Sequence, residues 1–348
     1  MATTSHTADF FILHRDRQGR PDYIFPWNGA VATYVVASIN TCREMLAQER
    51  VRDAFMDLLK EFDQTNTTAW HQGMNEEIVI DKFIDAILRD FPLVFVDDSL
   101  WNPNRLAEGF RRSWDGVFVP RDQGITLNGP RVRAMCRAAR MVQDANDANS
   151  SATKRFRGFM FLFANIFMHE LGHLFITYLN QGRMKTPTHI YPRVMGLPEG
   201  PKGEAGRCLE TLLFGGVVCN YRNTNEDDDQ PGVPWLIKAR DTRRISQESI
   251  AEVVEHRFKF PYVTSGAAAT TSWPTLGGHL PPQTFTSDPL VWRETAELLQ
   301  SHPDPQRLLV GPTSHLSRIP VDPSLRVQAE GNVSDHMAEA FWDPWIDG

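Results

Sequence analysis

Two histidines four residues apart, with a glutamate directly after the first, form the densest group of chemistry-bearing side chains in this 348-residue sequence: His169-Glu170-Leu-Gly-His173. On an α-helix, positions i and i+4 share a face, so both imidazoles can aim at one point while the Glu170 carboxylate lies beside them. Imidazole nitrogens converging in this way are donors for a metal ion, and a neighbouring carboxylate can take a proton from water held there. Zinc suits the set, since three protein ligands leave one of its four tetrahedral positions for water, whose pKa the ion lowers toward about 7. The expected reaction is hydrolysis of a peptide or amide bond by metal-activated water, with Glu170 as general base.

The flanks of the motif decide where it sits. Phe159 to Met168 is strongly apolar, and apolar character resumes from Leu174 to Leu179. Together the halves approach membrane-spanning length, yet His169, Glu170 and His173 interrupt them and no other stretch approaches a span, so a buried core helix and no membrane span are expected. Burying two imidazoles and a carboxylate without partners costs about 1–3 kcal/mol per group, a cost that a bound cation removes.

His-Glu-Leu-Gly-His within an apolar helix resembles the active-site helix of the zincin metallopeptidases, over about 20 of the 348 residues. The resemblance implies that His169 and His173 are zinc ligands, that Glu170 is the general base, and that strands upstream offer an edge to a peptide substrate. The form with a downstream His-x-x-Gly-x-x-His is absent, since Ile176 and Leu179 stand at the corresponding positions, and so is the Gly-Thr-x-x-Asp form. A glutamate from a following helix, as in the gluzincins, is left, and the stretch from Gly203 to Gly216 offers Glu204 and Glu210. Glu210 is preferred as third ligand, because it shares a helical face with Gly206, Leu213, Phe214 and Val217 and so is an acid on a face made for burial. Glu204, the alternative, lies near the helix start, where the dipole already accounts for a carboxylate. Whichever is not the ligand is a candidate to orient a histidine through its other ring nitrogen. His189, Tyr191, His256 and Tyr262 are candidate donors to a developing oxyanion, and Asn165, one turn before His169, is a candidate support for the site.

The elements that must position these residues can be read from periodicity and caps. Helices are expected over about 40–64, 76–89, 131–147, from the polar break at 149–153 to Leu179 with closure at Asn180-Gln-Gly182, over 204–218, 247–258, and briefly over 290–300. Short strands are expected at Leu93 to Val96, Gly116 to Val119 and Ile125 to Leu127, the site of a small sheet. The segment from Thr264 to Pro282 reads as a loop, and the acidic run Glu226 to Asp229 as a solvated one that lacks the alternating ligands of a calcium loop. The expected fold is therefore α+β, mostly helical, with a small sheet packed on the motif helix. It is one catalytic domain over 1–348: a helical part at 1–90, the metal-site core at 91–220 and a loop-rich part at 221–348.

Composition narrows the function classes. A hydrophobic share of 41% with 23% charged residues is that of a folded globular chain, and a formal net charge of −7 argues against nucleic-acid binding, which needs a basic surface. Cys42, Cys136, Cys208 and Cys219 are widely spaced with no C-x-x-C pair, which points to reduced thiols rather than disulfides or a cysteine metal site. With no secretory signal at the N-terminus, a cytoplasmic setting and a peptide or small amide substrate are expected. Trp342 and Trp345 near the end read as anchors for the tail. Two other classes fit the same motif: a zincin-derived enzyme performing a lyase or cyclisation step on a small metabolite, and a non-catalytic binding protein stabilised by the metal.

Overall fold

The computed structural model describes residues 7–26, 29–64, 71–100, 106–145, 150–183, 185–192, 203–221, 230–238, 241–266 and 307–309. In chain order these form β1 (Thr7–Asp9), β2 (Ile12–Arg15), β3 (Pro21–Ile24), α1 (Ala30–Leu46), α2 (Glu49–Asp63), α3 (Glu76–Arg89), β4 (Leu93–Asp97), β5 (Ala107–Phe110), β6 (Gly124–Asn128) and α4 (Gly129–Ala145). There follow α5 (Ser151–Leu179), α6 (Ala205–Phe214), β7 (Val217–Tyr221), β8 (Val233–Ile237), β9 (Thr242–Ile245), α7 (Gln247–Val254), β10 (Thr264–Ser265) and β11 (Arg307–Leu309).

The motif helix α5 starts at Ser150, whose side chain accepts the Thr153 N–H at 3.1 Å. It ends where the sequence places its closure. Gln181 turns left-handed at φ 57°, the Gly182 N–H reaches back to the Thr177 carbonyl at 2.8 Å, and the Gln181 N–H reaches that of Tyr178 at 3.3 Å. Between those ends α5 is apolar on nearly every face, as a helix must be to sit inside a core rather than at its rim. It packs against α1, α4, α6 and α7, and Phe159, Phe161, Phe163, Phe167 and Phe175 along it are fully buried. Alone among the described helices it is long and apolar enough to cross a membrane, and its apolar window is wholly buried.

Phe175 meets Phe55 of α2 and Phe83 of α3 edge to face, with ring centroids 4.9 and 5.0 Å apart, so the C-terminal half of α5 is fixed by aromatic contacts on two other helices. Asn75 caps α3 by accepting the Glu77 and Ile78 N–H groups, with Glu76 and Glu77 completing an acidic first turn.

The fold is mixed α and β, with more sheet than the sequence shows. A five-stranded sheet runs in the order β3-β2-β4-β6-β5, its three inner strands parallel and both edges antiparallel. The inner strands are buried throughout, as parallel strands covered on both faces are. A second sheet, β10-β9-β8-β7, is antiparallel, and β1 pairs with β11.

Several expectations are corrected. The helix expected over 40–64 is two helices, broken at Ala47 and Gln48, and the first begins ten residues earlier, at Ala30. The strand expected at Gly116 to Val119 is a bend, with Gly116 at φ 82°, and the edge strand is instead β5, upstream of it. The helix expected to reach Val218 stops at Phe214, where Gly215 turns left-handed at φ 81° and lets β7 begin. The part before residue 90, expected to be helical, also supplies β2 and β3 to the five-stranded sheet. The expected helix at 290–300, the acidic run and the two tail tryptophans lie outside the described residues.

Candidate metal centre

Helix α5 carries His169, Glu170 and His173 on a buried stretch that faces α6 and the edge strand β5. Close approach of α6 depends on two small residues. A Cβ at Gly206 would stand 2.6 Å from three atoms of the His169 ring, and one at Gly172 would stand 3.1 Å from the Gly206 Cα. Gly109 of β5 plays the same part on the other side, since a Cβ there would be 2.8 Å from Glu170 Oε2. The general-base candidate therefore sits directly against the sheet edge, with no intervening side chain.

The rings of His169 and His173 lie 5.0 Å apart at 66° to one another. Ligand atoms of His169, His173 and Glu204 all fall within 4.8 Å of each other, among the described residues the one such group of three acidic, histidine or cysteine side chains. Glu204, just ahead of α6, is held by its own N–H, which donates to the Ile190 carbonyl at 2.7 Å. Its Oε2 is 3.5 Å from His173 Nε2.

The geometry groups Glu204, the alternative candidate, with the two histidines and sets Glu210, the preferred one, behind the His169 ring. Glu210 Oε1 accepts from His169 Nδ1 at 2.8 Å, and Oε2 accepts the Val218 N–H of β7 at 3.0 Å. Both oxygens are thus committed, and the Glu210 contact leaves Nε2 as the His169 atom free to bind an ion. Burial on the helix face, the property that favoured Glu210, belongs equally to a residue that orients a ligand.

The unbonded atoms describe the site best. Both ring nitrogens of His173, Glu170 Oε2 and Glu204 Oε2 are buried and make no hydrogen bond. Each such group costs about 1–3 kcal/mol if nothing meets it. Two imidazoles and a carboxylate are a donor set that zinc accepts, so these residues fit a metal ion.

Burial dominates the ionisation of His173, pushing it down to about 3 and keeping it a neutral donor. Burial also works to raise the Glu204 carboxyl, but the close approach of His173 Nε2 and the positive charges of His169 and Arg207 outweigh it and hold Glu204 at about 2. His169 is opposed by burial too, yet Glu210, by charge and by hydrogen bond, with Glu170 and Glu204, lifts it to about 9. Glu170 is raised by burial, against the lowering charges of His169 and Arg111. A carboxylate shifted upward by burial is a stronger base than one in water.

Arg111 was not legible in the sequence. It follows β5, is 5% exposed, and its Nη1 donates to Thr186 Oγ1 at 3.2 Å. Burial lowers it to about 10, while the charges of Glu170 and Glu204 work to keep it protonated. One cation thus sits among the two acids of the site. No motif announces it, because only the pairing of β5 with β6 brings Arg111 beside α5.

The candidate oxyanion donors have other occupations. Tyr262 is buried, stacked on Phe214 with centroids 4.5 Å apart, and its hydroxyl donates to Asn165 Oδ1 at 2.8 Å. Asn165 in turn donates to the Phe161 carbonyl at 2.7 Å, so this pair ties the chain after α7 to α5 rather than reaching the metal ligands. His256 is paired through Nδ1 with Glu44 Oε2 at 2.5 Å and lies 3.4 Å from Thr41 Oγ1, against α1. His189 is exposed, its Nε2 3.0 Å from the Glu61 carbonyl. Tyr191 is partly buried and continues the 186–191 segment, which supplies the Ile190 carbonyl to Glu204.

No protein-family model, curated protein or solved structure matches the chain.

Proposed function

We propose that this chain is a zinc-dependent hydrolase of a peptide or amide bond, with His169, His173 and Glu204 as ligands and Glu170 as general base. What carries the reading is the cluster of three donors within 4.8 Å of one another, several of their buried atoms unbonded, with an unbonded Glu170 oxygen beside them. When bound, zinc would supply Lewis acidity to the scissile carbonyl and make water acidic enough to deprotonate near neutral pH.

The protein side of the reaction follows from the residues. Glu170, raised by burial, takes the proton of the attacking water and hands it to the leaving nitrogen. Glu210 keeps the His169 ring in one orientation and one tautomer. Arg111 holds positive charge next to Glu170 and Glu204, which limits how far Glu170 can rise. The edge strand β5, with Gly109 against Glu170, supplies backbone groups along which an extended substrate can lie.

Metal analysis of the purified full-length protein, together with Glu170→Gln, tests this. About one zinc per chain is expected, retained in the variant, with hydrolysis of a mixed peptide library falling by orders of magnitude. A metal-free protein, or a Glu170→Gln protein as active as the parent, would rule the reading out.

A further inference from the structure

Of the three donors in the candidate metal centre, Glu204 is the one that its own helix does not place. His169 and His173 are fixed by the repeat of α5, but Glu204 stands just ahead of α6 with φ −128° and ψ 72°, and its side chain caps none of the first-turn N–H groups. Its backbone is held from outside. The Glu204 N–H donates to the Ile190 carbonyl at 2.7 Å. Gly203 lies so close to the same segment that a Cβ there would stand 1.9 Å from the Pro187 carbonyl oxygen and 2.8 Å from Thr186 Cγ2.

The segment 186–191 is itself tied at two points. At one end Thr186, 5% exposed, accepts from Arg111 Nη1 at 3.2 Å. Further along, His189 Nε2 lies 3.0 Å from the Glu61 carbonyl of α2, and the Ile190 N–H closes a turn onto the Pro187 carbonyl at 3.1 Å, with the Ile190 side chain fully buried. A turn anchored on both sides keeps the Ile190 carbonyl where the Glu204 N–H meets it.

Arg111 reaches Thr186 from the centre itself. Residues two apart on an extended chain share a face, and Gly109 faces Glu170, so the chain leaving β5 turns Arg111 toward α5 as well. The distances agree, since the point that a Gly109 Cβ would occupy is 2.8 Å from Glu170 Oε2 and 4.0 Å from Arg111 Nε. Contacts therefore run from the general-base candidate on α5, along the edge strand, through Thr186 to the residue before Glu204.

We infer that Thr186 and Arg111 are positioning residues for the metal centre: their hydrogen bond fastens the 186–191 strap to the end of β5, and the strap holds the Glu204 carboxylate in reach of the two histidines. This rests on the metal-binding reading. Zinc–oxygen bonds are about 2.0–2.2 Å long, so a strap loosened by about 1 Å takes the carboxylate out of bonding distance.

The experiment measures the zinc affinity of the full chain by competition with a chromophoric chelator, with thermal melting of the metal-free protein beside it. Thr186→Val keeps the shape of the side chain and removes the hydroxyl, whereas Thr186→Ser keeps the hydroxyl. Affinity is expected to fall about 10-fold or more in Thr186→Val, the scale seen when a group that orients a ligand is lost, and to recover in Thr186→Ser. The metal-free protein should still melt cooperatively in both. If the valine variant does not fold, Arg111→Met decides by sign: losing a positive charge beside a cation by itself tightens zinc binding, while losing the strap weakens it. Equal affinity in Thr186→Val and the parent, a serine variant as weak as the valine one, or tighter binding in Arg111→Met would overturn the inference. A parent that binds no zinc would remove it together with the hydrolase reading. Thr186-dependent zinc binding in a protein whose Glu170→Gln variant is fully active would keep the strap and sink the hydrolase. Glu170-dependent turnover with zinc affinity indifferent to Thr186 would do the reverse.

Discussion

Glu210 and His169 are joined by a 2.8 Å hydrogen bond from ring to carboxylate, and the same carboxylate takes a backbone N–H from β7. The orientation of the His169 ring is therefore fixed by the second sheet as well as by its own helix. Glu210→Gln is expected to weaken zinc affinity about 10–100-fold, the usual effect of removing a carboxylate behind a histidine ligand. Glu204→Gln should cost more, because it removes a ligand. Competition against a chromophoric chelator measures both, and the opposite order would return Glu210 to the ligand position.

Gly206 faces the His169 ring so closely that a methyl group would stand 2.6 Å from three of its atoms. Gly206→Ala should push α6 away from α5 or turn the ring. Either response costs about 1–3 kcal/mol of stability as overpacking, together with much of the zinc affinity. Thermal melting with and without added zinc distinguishes the two losses, since a smaller zinc-induced rise in melting temperature reports the ring.

Gly109 offers the complementary test, because a Cβ there would meet Glu170 Oε2 at 2.8 Å and none of the metal ligands. Glu170 is the end of a flexible side chain and can move aside. Gly109→Ala is expected to keep its zinc while turnover falls about 10–100-fold through misplacement of the base. Full activity would mean that Glu170 does not act from the position it occupies against β5.

His14 gives a pH dependence away from the metal ligands. Its Nδ1 lies 3.2 Å from Asp22 and its Nε2 3.5 Å from Asp98, which also pairs with Arg133. Burial works to lower His14, but Asp98 and then Asp22 outweigh it and the imidazole is raised above its ordinary value. A group whose pKa is raised on folding contributes stability that is complete below the unfolded value of about 6.5 and fades as pH climbs through the folded value. The melting temperature should fall on going from pH 6 to pH 8, and should fall less in His14→Gln. Identical slopes for the two proteins would show that the pairing contributes nothing.

The clustering of His169, Glu170 and His173 was legible because its logic is local. Residues four apart on a helix share a face whatever the rest of the chain does, and the apolar flanks of His169 and His173 already required a buried helix. The start of α5 within the polar break at 149–153 and its end at Asn180-Gln-Gly182 were legible for the same reason, being satisfied by neighbours in sequence. By contrast β5, Ala-Glu-Gly-Phe, has little strand character of its own, and only pairing with β6 makes it the edge beside Glu170.

By itself the sequence determined that two imidazoles and a carboxylate would meet on one buried helix, since that depends only on the α-helical repeat. Which glutamate stands beside both histidines, and which cation lies near them, was decided by tertiary structure. Glu204 and Glu210 lie on the same short stretch and differ only in how α6 crosses α5, a crossing set by Gly172 and Gly206 and by the anchoring of Glu204 on Ile190. Arg111 comes from a separate element, and its approach to Glu170 and Glu204 depends on sheet pairing that no local pattern encodes.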